Sequence, residues 1–275
     1  MRKWVYGAVA LVLAGLFWYS TGNVGKNDHE AAYKELSKVR EKLEKAGTAR
    51  VDFTASLTGG KPFGEWQGTS VVRFTEPSWD TSYTRMAGTG TDGITARRVH
   101  VGNADYYTST DLIAPDGRPW WDASRTAQVW GDQLSNPQLN VADITTWLPF
   151  FGGLDVYLAD SAKQSDHKYR LECMSGRSVC PPPFGTRLDD HFDQTSPPIL
   201  TAQLDDDGRL VKLDVECVLT NSDKVEPGDV SLRPKATYYV KASFELSGFG
   251  DDAQIQAPAD AEITASNRVV PKGRS

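Results

Sequence analysis

Residues 48–74 read TARVDFTASLTGGKPFGEWQGTSVVRF. From Arg50 the apolar and polar side chains alternate, with Val51, Phe53, Ala55 and Leu57 set against Arg50, Asp52, Thr54 and Ser56. A repeat of two places the first set on one side of a β-strand and the second on the other. Gly59-Gly60 supplies a turn, and Trp66, Gly68, Ser70, Val72 and Phe74 then share one side of a returning strand. Two such runs joined by a short turn specify an antiparallel pair with one apolar face, which something else in the chain must cover.

The segment just upstream has a different period. Ala32, Tyr33, Leu36, Val39, Leu43 and Ala46 recur at spacings of three and four, which predicts a helix with a single apolar stripe. Asn27 and Glu30 make a capping box ahead of it, and Gly47 is the natural stop. Glu30–Lys34 and Glu41–Lys45 are favourable pairs on the wet side. One stripe buries one side, so this helix is expected to pack on the sheet.

Downstream, residues 79–83, 94–101 and 104–108 continue the strand pattern, the last two around Gly102-Asn103. Strands that follow one another through short turns form a meander. Residues 110–140 look irregular, and the pair Trp120-Trp121 is expected in a loop that covers a core or lines a cavity. A short helix is expected at 141–148, capped by Asn140, with Trp147, Leu148, Phe150 and Phe151 forming an apolar patch. Alternation returns at 167–173, 199–204, 209–219 and 236–246. Asp205-Asp206-Asp207-Gly208 joins the middle two, and Asp-Gly between alternating runs is a strong hairpin signal.

The compartment follows from the first residues, MRKWVYGAVALVLAGLFWYSTG. Arg2 and Lys3 precede an uncharged apolar run from Trp4 to Tyr19, so the remainder of the chain is expected outside the cytoplasm. Residues 1–22 read as a transmembrane anchor or a signal segment. The bulky Phe17-Trp18-Tyr19 favours the anchor, with residues 4–22 in the membrane, over a cleaved signal and secretion. Leu13-Ala14-Gly15 resembles the start of a lipobox, but Leu16 stands where the lipidated cysteine would be. Residues 23–30 form a linker, 31–263 a folded domain, and 264–275 a flexible basic tail.

Composition narrows the function. The 275-residue chain carries 30 Lys and Arg against 36 Asp and Glu, a net charge of −6, and has no basic run. Such a chain is a poor nucleic-acid binder. Gly88-Thr89-Gly90-Thr91-Asp92-Gly93 matches a dinucleotide fingerprint, but strand periodicity resumes at Ile94 where a helix would be required. His191 among Asp189, Asp190 and Asp193 reads as a solvated loop. No GxSxG, HExxH or paired CxxC occurs, so no enzyme activity, cofactor or metal is expected. Cys173, Cys180 and Cys217 are odd in number. In an oxidising compartment they are expected to form one bridge, Cys180 with either Cys173 or Cys217.

Three stretches together resemble the actinobacterial exported lipoproteins of the LprG/LppX type, relatives of the LolA-like lipoprotein carriers. They are the helix with TARVDFTASLTGG and EWQGTSVVRF, the hairpin TAQLDDDGRLVKLDVE, and the ending ASFELSGFGDDAQIQAPADAEI. The resemblance spans most of residues 31–263. It departs from the family at the absent lipobox cysteine and at an apparent insertion over residues 174–197. It implies a mainly β (α+β) fold: one large curved antiparallel sheet, a half-barrel, with helices covering its concave face. An apolar cavity between them would hold a lipid or other lipophilic ligand. The lining residues expected for it are Phe53, Leu57, Val72, Phe74, Tyr83, Trp147, Leu148 and Phe151. The competing expectation is an envelope interaction or sensor module that acts through a protein partner with no ligand.

Overall fold

The computed structural model describes residues 31–58, 62–88, 93–122, 144, 148, 151, 162–165, 167–172, 192–194, 199–221, 237–266 and 270–271. The expected anchor over residues 4–22, the linker, Trp147, Cys173 and Cys180 lie outside them. The protein is mostly β, built on one large, open, curved sheet with little helix.

The quoted stretch forms β1 (Thr48–Thr58) and β2 (Pro62–Arg73). The meander continues through β3 (Ser78–Gly88), β4 (Thr95–Val101) and β5 (Ala104–Ser109). Two short strands follow, β6 (Leu112–Ile113) and β7 (Trp120–Asp122). Then come β8 (Ala162–Ser165), β9 (Lys168–Glu172) and β10 (Phe192–Gln194). The second half holds β11 (Ile199–Leu204), β12 (Leu210–Asn221) and β13 (Thr237–Ser247). Near the end lie β14 (Ile263–Thr264) and β15 (Val270–Pro271). The main sheet runs β14-β7-β5-β4-β3-β2-β1-β13-β12-β11-β9-β8, with β10 on β12, and β15 pairs separately with β6. The two meanders meet where β1 pairs with β13 over Arg50–Thr58.

Register shows why the apolar face is continuous. Tyr169, Ala202, Leu213, Phe244, Phe53, Gly68, Tyr83, Ala96 and Ser109 stand opposite one another in turn, one residue from each of nine strands. All but Gly68 are buried, and none of those eight is more than 8% exposed. Residues one position along each strand point the other way and are polar or charged. A one-residue slip in any pair would exchange the two faces, which pins the register.

Residues 31–36 are helical, two turn residues follow, and α1 spans Val39–Ala46. Ala32, Leu36, Val39 and Leu43 are fully buried in the main core, whereas Tyr33, read as part of the stripe, is exposed. Gly47 ends the helix at φ 81°, its N–H shared between the carbonyls of Leu43 and Glu44. The Gly47 carbonyl accepts the N–H of Phe74 at 2.9 Å, which ties the end of α1 to the end of β2.

The structure corrects the reading of Trp120-Trp121. They form a strand, not a loop, and point to opposite faces. Trp121 joins the main core, while Trp120 sits with Val99 and Ile255 in a second, smaller cluster. That cluster lies under a strap formed by the C-terminal segment. Gly250 N–H bonds the Thr48 carbonyl, Arg73 donates to the Ala253 carbonyl at 3.0 Å, and Ile255 packs on Trp120 and Val99. The strap ends as β14, which pairs in parallel with β7. Val270–Pro271 then pairs with β6 in a separate two-stranded ladder, so part of the segment expected as a flexible tail is hydrogen-bonded to the residues after β5.

Candidate functional site: an apolar pocket beside helix α1

The tie between Gly47 and Phe74 sets the geometry of the site. It leaves a pocket of about 220 Å³ between α1, the β2–β3 turn and Leu148. Leu43 comes down from α1, Val72 and Phe74 come from the end of β2, and Pro77 and Trp79 come from the turn and the start of β3. Val72 and Trp79 are register partners, so the two side chains stand next to each other on the apolar face. Leu43 and Val72 are at most 1% exposed, while Trp79 and Leu148 are half-buried where they face the opening.

Three charged residues border the pocket: Arg40, Glu44 and Arg73. Arg40 Nε donates to Glu44 Oε1 at 2.9 Å, an exposed i,i+4 pair at the mouth. The Arg73 guanidinium is directed to the strap, where it bonds the Ala253 carbonyl. Behind Trp79 the face becomes polar. His100 stacks on the indole at 4.1 Å, the Arg98 guanidinium lies 5.8 Å from it, and Arg98 grips Asp105 through two bonds of 3.2 and 2.7 Å. Trp79 therefore marks the boundary between a greasy compartment and an ion-paired one. Apolar groups are favoured in the first and opposed by the desolvation cost of the second.

Of the residues expected to line a cavity, Val72, Phe74 and Leu148 are brought together here. Phe53 instead fills the middle of the core, its ring 6.3 Å from that of Phe244. Phe151 is 1% exposed and also belongs to the core. Tyr83 is buried beside Tyr107, and its phenol pKa is pushed well up by burial and by the neighbouring phenol. Leu57 lies in β1 opposite Val240 and Gly64. Leu43, Pro77 and Trp79 were missed as lining residues. Leu43 was legible as the last strong member of the helical stripe, but its meeting with Trp79 depends on how α1 docks.

The void is smaller than the several hundred Å³ common for sites that enclose a drug-sized ligand. The larger hollows, of about 890 and 810 Å³, lie on the opposite, polar face. Size favours those two; the wall of the first is mostly Thr, Ser, Gln and charged side chains, while the second adds the apolar side chains of Met86 and Ile199. Cys217 is a free thiol, 4% exposed in the core, and burial pushes its pKa up to about 12. Among the described residues no helix is long and apolar enough to cross a membrane, and no group of three or more His, Cys, Asp or Glu could hold a metal.

No family model and no curated protein matches the chain. Among solved structures it is similar to LprF from Mycobacterium bovis, at 13% identity and a TM-score of 0.42, over 84% of this chain and 98% of that one. It is similar to the lipoprotein LppX from Mycobacterium tuberculosis, at 10% identity and a TM-score of 0.39, over 82% and 99%. A LolA superfamily protein from Nitrosomonas europaea is similar at 11% identity and a TM-score of 0.28, over 85% and 97%.

Proposed function

We propose that this is a membrane-anchored, extracytoplasmic, non-enzymatic protein that binds a lipid or other lipophilic ligand between α1 and the sheet. The observation that carries it is the pocket formed by Leu43, Val72, Phe74, Pro77, Trp79 and Leu148, with its mouth at Arg40 and Glu44. The helical segment from residue 31 roofs the hollow side of the apolar face. Residues 4–22 hold the domain at the membrane, the source of its ligand. Burial of apolar surface at about 25 cal/mol per Å² supplies the affinity, so the ligand is held by its hydrocarbon part.

The test is native mass spectrometry of the full chain released from native-lipid nanodiscs, together with uptake of a fluorescent fatty-acyl probe. Wild type carries adducts of lipid mass and takes up the probe. Leu148→Trp, which fills a half-buried position at the opening, loses both and keeps its circular dichroism spectrum. A bare mass with no probe uptake overturns the proposal.

A further inference from the structure

The larger hollow on the polar face is about 890 Å³ and has no part in the pocket beside α1. Register organises its floor. Ser243, Thr54, Gln67 and Thr84 are cross-strand partners in turn, Thr84 pairs with Thr95, and Thr95 exchanges backbone and hydroxyl bonds with Thr110. This makes one row of six neutral hydrogen-bonding side chains across β13, β1, β2, β3, β4 and the residue that follows β5. At its two ends the Ser243 hydroxyl donates to Asp214 at 2.6 Å and the Thr110 hydroxyl accepts the Thr95 N–H at 3.1 Å, so both-way capacity rests on Thr54, Gln67, Thr84 and Thr95. At about 4.8 Å between strands, the row is roughly 24 Å long. A second row beside it contains Thr69, Ser82 and Thr108 together with the charged groups of the lining.

Those charges are already matched. Asp52 pairs with Arg50 at 3.4 Å, Glu245 with Lys212 at 3.1 Å, and Arg97 grips Asp80 with Nε at 2.8 Å. A trough whose ions are self-paired offers little to a polyanion or a polycation, and a floor of hydroxyls gives a hydroxyl-bearing chain partners that an acyl chain cannot use. Serine and threonine hydroxyls both donate and accept, as does the amide of Gln67 through its two ends. That two-way capacity, repeated at strand spacing, complements a chain that also presents hydroxyls in both roles.

We propose that this trough binds a neutral, linear glycan laid across the strands. The binding is independent of any lipid in the pocket beside α1, because the two sites lie on opposite faces of the sheet.

The test uses the full chain in zwitterionic nanodiscs with labelled threonine methyl groups. The probes are hexamers of β-1,4-linked glucose, α-1,4-linked glucose and β-1,4-linked N-acetylglucosamine, with an oligogalacturonate as the charged control. At least one neutral hexamer shifts the methyl signals of Thr54, Thr84 and Thr95 as a group. The double variant Thr54→Val, Thr84→Val keeps side-chain shape and loses two hydroxyls, so binding weakens by about tenfold while the other methyl signals hold position. The proposal is overturned if no neutral hexamer moves these methyls at millimolar concentration. Equal binding of the charged control, or unchanged affinity in the double variant, also overturns it.

Discussion

Phe53 and Phe244 face each other from adjacent strands, ring centroids 6.3 Å apart and tilted by 38°. The contact depends on a bare backbone next door. A Cβ on Gly68 would stand 2.8 Å from the tip of the Phe53 ring and would run into the Ser82 carbonyl. Gly68→Ala is therefore expected to destabilise the domain by about 1–3 kcal/mol, the range for overpacking a filled core. Phe244→Ala, at a residue with no exposure, is expected to cost about 3–5 kcal/mol. Denaturant midpoints measure both, and a Gly68→Ala midpoint equal to wild type would contradict the contact.

Alkaline pH tests the core at Cys217. Its thiol titrates near 9.0 when unfolded and at about 12 when folded. Between those values the native state keeps a proton that the unfolded state has released, so stability falls as pH rises. The contribution is intact below about pH 9 and declines by up to about 1.4 kcal/mol per pH unit toward 12. Tyr83 and Tyr107, both raised chiefly by burial, act with the same sign at higher pH. Denaturant midpoints measured from pH 7 to 11 should drop above 9, and Cys217→Ala should drop less. Parallel curves for the two proteins would show that the thiol is not protected.

The β11–β12 turn carries a prediction of its own. Gly208 sits at φ 76°, and its N–H bonds the Asp205 carbonyl at 2.9 Å. Gly208→Ala places a Cβ in the left-handed region and is expected to cost about 1–2 kcal/mol. Burial alone would raise the Asp205 carboxyl, but bonds from the Arg209 amide and guanidinium outweigh it and hold it below the ordinary 3.8. This contribution is present above that value and is lost as pH falls through the lowered folded one. Asp205→Asn should therefore flatten the acid limb of the stability curve and lower the neutral-to-alkaline limb without changing its slope.

These elements differ in how far the chain announces them. The β1–β2 and β11–β12 pairs were legible because a period of two and a Gly-Gly or Asp-Gly turn are local signals. Trp120-Trp121 was not, because a three-residue strand with a large side chain on each face shows no alternation. Its partner β14 arrives from more than 140 residues along the chain, Ile263 opposite Trp120. The pocket was half legible for the same reason. Val72, Phe74 and Leu148 could be picked as apolar, but the choice of Trp79 over Phe53 depends on how α1 docks and on Gly68 opposite Phe53. Neither is written in a short window of sequence.

The strap gives the last prediction. Ile255 is 7% exposed against Val99 and Trp120, on the face opposite the main core. Ile255→Ala is expected to cost about 2–4 kcal/mol, within the range for large-to-alanine changes in a core. Hydrogen exchange should show faster opening at β7 and β14 than at β1 and β13. Uniform acceleration across the sheet would mean that the strap and the central strands open as one unit.

Because β7 gains its outer neighbour only from Ile263–Thr264, a growing chain carries an unpaired border at β7 until that distant segment has been made. Pairings this distant in sequence form late and slowly. Until then the border is open to stray strands and to proteases, and a copy that lacks Ile263–Thr264 keeps it open for good.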